Sequence, residues 1–309
     1  MTKKTCILIG APVDSGKKRR GCLMGPDAIR VAGLSEALVD LGHSLSDRGN
    51  LTPAKVNPPK EAPGHLYALA ETIGWTLTLA DAAEQAMPTG LPIFLGGDHS
   101  LSLGSVTGVA NYAASLNRPQ FVLWLDAHSD YHTPHSTASG NLHGTPVGYL
   151  AGRAGFDGFP EVKNPVPQEN ICLLGLRSVD RAEREMLQQT KIHCHDMREI
   201  DETGIAKPLA AFLTRVARAN GMLHVSLDVD FLDPSFAPAV GTTVPGGATM
   251  REAHLVMEML HDSGLMTSLD LVELNPFLDE RSRTAQVMVD LTASAFGRRV
   301  FDRPTRAYN

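Results

Sequence analysis

Three short polar clusters in this sequence carry side chains of the kind that bind metal ions. Asp98-His99-Ser100 follows the apolar run IFLGG, Asp126-Ala127-His128-Ser129-Asp130 follows FVLWL, and Asp228-Val229-Asp230 follows LHVSL. On extended backbone, residues two apart share a face, so Asp126, His128 and Asp130 can converge, and so can Asp228 and Asp230. With His99 they make two imidazoles and four carboxylates at three strand ends. One ion has no need of six such groups, whereas two divalent ions sharing bridging carboxylates do. Taken singly, an Asp at a strand end is commonly a helix cap or turn former, and a buried His is usually a satisfied core group. The coincidence is what points to metal, because packing alone rarely places so many acids together unpaired.

The donor types constrain the ion. Oxygen-rich ligands with some imidazole and no thiolate suit hard to borderline ions that take five or six ligands, such as Mn²⁺, while structural zinc would want cysteine. Two divalent ions balance four aspartates, and a water held between them loses its proton near neutral pH. The loaded site is then slightly anionic, which favours a cationic substrate over a phosphate ester.

The elements that must position these groups follow from periodicity. Thr5–Gly10, Leu91–Leu95, Phe121–Leu125, Asn170–Leu174, Met222–Leu227 and Met266–Leu274 read as strands. Pro26 to Leu41, Leu66–Met87, Asp180–Gln189, Thr203–Asn220, Thr249 to His261 and Arg283–Phe296 read as helices. Leu51–Pro63 and Ser129–Gly144 read as loops. Near-continuous apolar strands alternating with helices imply a three-layer α/β/α fold with a central, mainly parallel sheet. No linker or composition shift divides the chain, so residues 1–309 read as a single catalytic domain. Ligands of such sheets bind just beyond the carboxyl ends of the strands, where the three clusters fall.

GGDHS, DAHSD, SGNLHG and SLDVDFLDPSFAPAVGT, with IGAP, GPDAIR, GLRSVD and DLVELNP in matching order, closely resemble the arginase (ureohydrolase) family over roughly Ile9 to Phe296. Within it SGNLHG and the Glu of GLRSVDRAE suit an amino-acid substrate, which makes arginase itself the nearest likeness. The resemblance implies two Mn²⁺ ions, one held by His99, Asp126, Asp130 and Asp228, the other by His128, Asp126, Asp228 and Asp230. It implies hydrolysis of L-arginine to L-ornithine and urea by a metal-bridging hydroxide, and a homo-oligomer, trimer or hexamer. Glu273 would hold the guanidinium, a charge-assisted pairing that its chemistry suits independently, and Thr242 would support that pair. His143 would be the proton-handling imidazole for the leaving amino group. Ser139 and Asn141 would face the substrate carboxylate, and Asp180 and Glu183 its ammonium, although Asp180 alone also suits a helix N-cap. One departure stands out: His132 occupies a position where arginases usually carry Asn, which bears on specificity and affinity rather than reaction type.

Other signals point elsewhere or nowhere. The chain has 309 residues, formal net charge −6, 43% hydrophobic and 20% charged side chains, which offers no general field for nucleic acid or acidic lipid. No apolar run reaches the ~18 residues of a membrane span, and the run before Pro12 is too short for a signal-peptide core. Four scattered cysteines read as reduced thiols of a cytoplasmic protein. His193-Cys194-His195 lacks the further ligands of a metal site. GAPVDSGKK has the wrong spacing for a phosphate loop. Lys17-Lys18-Arg19-Arg20 reads as a solvated basic loop that can border a site mouth or an interface. Three rivals stay open: another ureohydrolase acting on agmatine or guanidinobutyrate, a metal-dependent deacetylase, and a non-catalytic sensor of guanidino ligands.

Overall fold

The computed structural model describes residues 3–57, 59 and 63–300. Among them, eight strands make one sheet: β1 (Thr5–Ala11), β2 (Ser44–Asn50), β3 (Leu91–Gly96), β4 (Gln120–Leu125), β5 (Ile171–Leu176), β6 (His193–Asp196), β7 (Met222–Asp228) and β8 (Met266–Val272). Their order is β2-β1-β3-β8-β7-β4-β5-β6, and every pair is parallel. Mainly parallel was expected; the sheet is wholly so.

Alternate strand residues feed opposite cores. Cys6, Leu8, Ile93, Leu95, Leu123 and Leu125 pack on one face. There they meet α1 (Gly25–Val31), α2 (Leu34–Asp40), α8 (Ala206–Arg218), α9 (Met250–Ser263) and α10 (Arg283–Ala295). Ile7, Ile9 and Phe94 turn the other way, onto α3 (Leu69–Ala86) and α4 (Ser102–Ser115). Val122 and Trp124 share that side with α5 (Pro146–Leu150) and α6 (Arg181–Leu187). Strands buried on both faces need no polar alternation, which is why they read as unbroken apolar runs. Among the described residues no helix is long and apolar enough to cross a membrane.

The expected elements recur with shifted ends; α4 and α5 were not foreseen, and further differences are these. The helix expected over Pro26 to Leu41 is two, broken at Gly33, whose φ of 94° lies in the left-handed region that glycine enters freely. The helix expected from Leu66 starts at Leu69, after Ala68 in a left-handed conformation. Strand β2 was not foreseen: SLSDRGN is polar and exposed, as an edge strand can be. Edge strand β6, with α7 (Met197–Thr203) directly after it, also escaped the pattern. The loop expected over Leu51–Pro63 has no regular structure at 51–57, and residues 58 and 60–62 lie outside the described residues.

The topology decides where the chemistry goes. Strands β3, β8, β7 and β4 are consecutive neighbours. Leu95, Leu271, Leu227 and Leu125 stand in one row across them. The residues just after that row are the polar clusters, so the register alone delivers them to one edge.

Candidate metal and substrate site

Each cluster folds around its own first aspartate. Asp98 accepts from the Ser100 amide at 3.0 Å, Asp126 from the His128 amide at 2.6 Å, and Asp228 from the Asp230 amide at 2.8 Å. The capping role that an isolated Asp would have is therefore present. At Asp126 and Asp228 it uses one oxygen and leaves the other facing His99.

What faces inward is a knot of buried charge. His99 Nδ1 lies 3.0 Å from Asp126, 3.2 Å from Asp130 and 3.0 Å from Asp228. His128 Nδ1 lies 3.1 Å from Asp230 and 3.4 Å from Asp126. Burial works against charge on His128, but Asp230 and Asp126 outweigh it and push the imidazole up to about 12. Burial, and then neighbouring carboxylates, raise Asp130 and Asp228 well above the usual range. Asp130 also holds a left-handed φ of 48°, uncommon for a residue with a side chain and frequent at functional sites.

The donor set fits metal ions on an independent observation. His99 Nδ1 is fully buried and has no hydrogen-bond partner of acceptable geometry, although three carboxylates surround it. Such an orphan is rare unless something else completes its coordination. Of three groups of ligand atoms within ion-binding reach of one another among the described residues, two, His99-Asp126-Asp130 and Asp126-His128-Asp230, share Asp126. Asp228 adds a fourth carboxylate at His99. No thiol enters either group.

Partners behind the knot orient its ligands. Ser226 Oγ stands 2.8 Å from His99 Nε2, leaving Nδ1 to face the acids. Trp124 donates its indole N–H to Asp126 at 3.0 Å and stacks on His99 with centroids 4.0 Å apart. Hydrogen bonds of this kind fix ring orientation and tautomer at metal sites.

The knot opens on a cavity of about 310 Å³ whose lining includes His99, Asp126, His128, Asp130 and Asp228. His132, Ser139, Asn141, His143, Asp180 and Glu183 line the remainder.

The arginase family model matches residues 4–297. The chain belongs to the arginase family. An arginase of Agrobacterium fabrum is 58% identical over 309 residues, covering 99% of this chain and 94% of that protein. An arginase of Brucella melitensis is 59% identical over 304 residues, covering 98% and 99%. The native structure of the Bacillus caldovelox arginase superposes with a TM-score of 0.88 at 36% identity, covering 96% of this chain and all of that one.

Within this arginase-family site, several residues stand differently from expectation. Thr242 was expected beside Glu273; its hydroxyl instead donates to Asp230 at 3.1 Å, so it braces the knot. Glu183 was expected to face an ammonium; its carboxylate accepts from Ser129 Oγ at 2.6 Å and the Tyr131 amide at 3.1 Å. It also closes a capping box with Asp180 at the start of α6. It lines the cavity with most of its bonding capacity spent on the loop. Asp180 is both the N-cap and an exposed wall residue, so its two readings coexist. His132 does not stand free for a carboxylate: Nε2 is 2.9 Å from Asp180 and Nδ1 is 3.0 Å from Ser136 Oγ.

Lys17 is the largest surprise. It was expected in a solvated basic loop, yet it is 2% exposed and forms an ion pair with Glu273, itself 1% exposed. The loop turns inward because Asp14 gathers the amides of Gly21 and Cys22 and the Arg20 guanidinium. Gly16 meanwhile donates its amide to Asp98 at 2.8 Å. A Cβ at Gly16 would stand 2.3 Å from the Asp98 carboxylate, so only glycine permits that approach. Glu273 also accepts from the His99 amide at 2.9 Å and stands 3.0 Å from His143 Nδ1. Burial opposes charge on both members of the pair, and their attraction outweighs it. Lys17 is held well above the usual ammonium range and Glu273 below the carboxylate range.

Proposed function

We propose that the chain is a single catalytic domain that hydrolyses L-arginine to L-ornithine and urea with two manganese ions. His99, Asp126, Asp130 and Asp228 would hold one ion, and His128, Asp126, Asp228 and Asp230 the other, Asp126 and Asp228 serving both. The observation that carries this reading is the unpartnered His99 Nδ1 among three carboxylates at the wall of the cavity. Oxygen-rich donors with two imidazoles and no thiolate favour manganese over zinc. Bound there, the ions supply Lewis acidity that makes water a nucleophile toward the guanidinium carbon.

The chain's own residues handle the rest. Glu273 takes the guanidinium through a charge-assisted pair. His143, which lines the cavity and is held at Nδ1 by Glu273, protonates the departing amino group. Ser139 and Asn141 donate to the α-carboxylate from the loop that lines the mouth. His132, Asp180 and Glu183, whose ligand atoms converge, form the wall for the α-ammonium. With His132 turned to Asp180, recognition of the carboxylate rests on the loop's serine and asparagine.

The experiment is urea release by the manganese-loaded protein on L-arginine and agmatine, which lacks the carboxylate. L-Arginine should have the higher kcat/KM by at least about tenfold, the worth of one charge-assisted contact. A preference for agmatine would leave a ureohydrolase of another specificity, and no urea from either would remove the reaction.

A further inference from the structure

We propose that Lys17 is a built-in competitor for the substrate's guanidinium, occupying Glu273 when the site is empty and leaving it when substrate binds. The inference rests on the arginase reading and concerns its specificity.

The argument is one of capacity. A carboxylate has about four lone-pair positions for donors. Glu273 Oε1 already faces the His99 amide at 2.9 Å and His143 Nδ1 at 3.0 Å. Oε2 faces Lys17 Nζ, with the Cys22 thiol at 3.8 Å. A guanidinium N–H needs an open acceptor position on that carboxylate for a charge-assisted pair. It finds neither oxygen free, and Glu273 is not among the residues lining the cavity. The His99 amide is backbone and cannot withdraw. Lys17 can: it sits on a flexible four-carbon stem, on a loop whose neighbour Lys18 is exposed. The Gly241 Cα, beside Thr242 in the cavity wall, faces the ammonium, since a Cβ there would stand 3.1 Å from Nζ. The ammonium thus touches both the Glu273 carboxylate and the residue next to the cavity-lining Thr242.

The exchange trades one cation for another, so no buried carboxylate is left bare on either side of it. The intramolecular cation lowers apparent affinity by the fraction of time Glu273 is free. If Glu273 is free one time in ten, removing Lys17 tightens binding about tenfold.

Lys17→Met, similar in length and uncharged, tests this in the manganese-loaded enzyme. Calorimetric titration with methylguanidinium, which has a guanidinium and no amino-acid tail, should give a Kd about tenfold lower than wild type. KM for L-arginine should fall by a similar factor. The inhibition constant of L-ornithine, which lacks the guanidinium, should move by less than about twofold. Lys17→Gln, which keeps a donor without the charge, is the second variant should Lys17→Met fold poorly. Lys17→Arg, still cationic, should bind methylguanidinium no more tightly than wild type. Methylguanidinium affinity that is unchanged or weaker in the uncharged variants overturns the proposal, as does an equal tightening for L-ornithine. Active wild type with unaltered variants refutes only the role of Lys17, whereas inactivity of wild type on every guanidine refutes the arginase reading itself.

Discussion

Replacing Ser226 by alanine should cost the protein one of its two metal ions. Ser226 is fully buried on β7, with Oγ 2.8 Å from His99 Nε2. To ligate an ion, His99 must present a lone pair at Nδ1 and carry its proton at Nε2, where the serine oxygen accepts it. In the Ser226→Ala variant that N–H is buried with no acceptor, a penalty of about 1–3 kcal/mol. The metal-free protein can escape part of it by moving the proton to Nδ1, where the Asp126 and Asp228 carboxylates 3.0 Å away attract it electrostatically even without hydrogen-bond geometry. The loss therefore falls on the loaded state, and at about 1.4 kcal/mol per tenfold it weakens binding roughly 5- to 150-fold. His128, the imidazole of the other ligand group, makes no contact with Ser226, so its ion should be spared. The assay is elemental analysis after dialysis against a series of free-manganese buffers. The variant should pass through a plateau near one ion per chain at concentrations where wild type holds two. Release of both ions at the wild-type concentration, from a variant whose circular dichroism is native, would refute the reasoning.

Two further outcomes follow from contacts at other points. His143→Ala removes the cavity imidazole that leans on Glu273, and kcat should fall about 10²- to 10⁴-fold while metal content stays at wild type; unchanged turnover would take His143 out of the mechanism. Asp233 ties down the loop that carries Thr242 through the amides of Gly246 at 2.7 Å and Gly247 at 3.2 Å. Hydrogen bonds from Ser235 and then from these amides hold its carboxyl down at about 2. A depressed folded value means the stabilisation is complete above the unfolded value of about 3.9 and fades as pH falls toward about 2. Because Asp233 is largely solvated, the contribution is about 1 kcal/mol after screening. Asp233→Asn should therefore lower the denaturation midpoint at about pH 5 and converge on wild type near about pH 2; a gap that does not vary with pH would refute it.

How much was legible depended on sequence distance. The aspartate–histidine knot was readable because each cluster is local, follows an apolar run, and uses the two-residue period of extended chain. Its two orienting residues obey the same rule and were missed: Trp124 and Ser226 each lie two positions before an aspartate of the knot, on the same face of the same strand. Reading that period upstream into the strand would have found them. Thr242 and Glu183 were read for the substrate alone; that their hydroxyl and carboxylate also bond Asp230 and the Ser129–Tyr131 segment went unread. A loop's internal bonds are not written in its composition. Lys17 was unreadable for a deeper reason. Four consecutive basic residues are ordinarily solvated, and the partner that buries this one is 256 positions away.

The two buried negative centres solve one electrostatic problem in opposite ways, and the difference follows from what each must do. A buried carboxylate without a partner is costly, so each centre needs a cation. At the aspartate knot an internal lysine would exclude the ions, so the chain places none there and leaves His99 Nδ1 unpartnered. At Glu273 an internal cation is tolerable, because the ligand that displaces it brings an equal charge. That exchange also distinguishes substrate from product. Hydrolysis turns the guanidinium at Glu273 into neutral urea, which offers a buried carboxylate dipoles in place of a charge. Lys17 then regains the advantage and returns, so that the residue which weakens substrate binding also favours urea release.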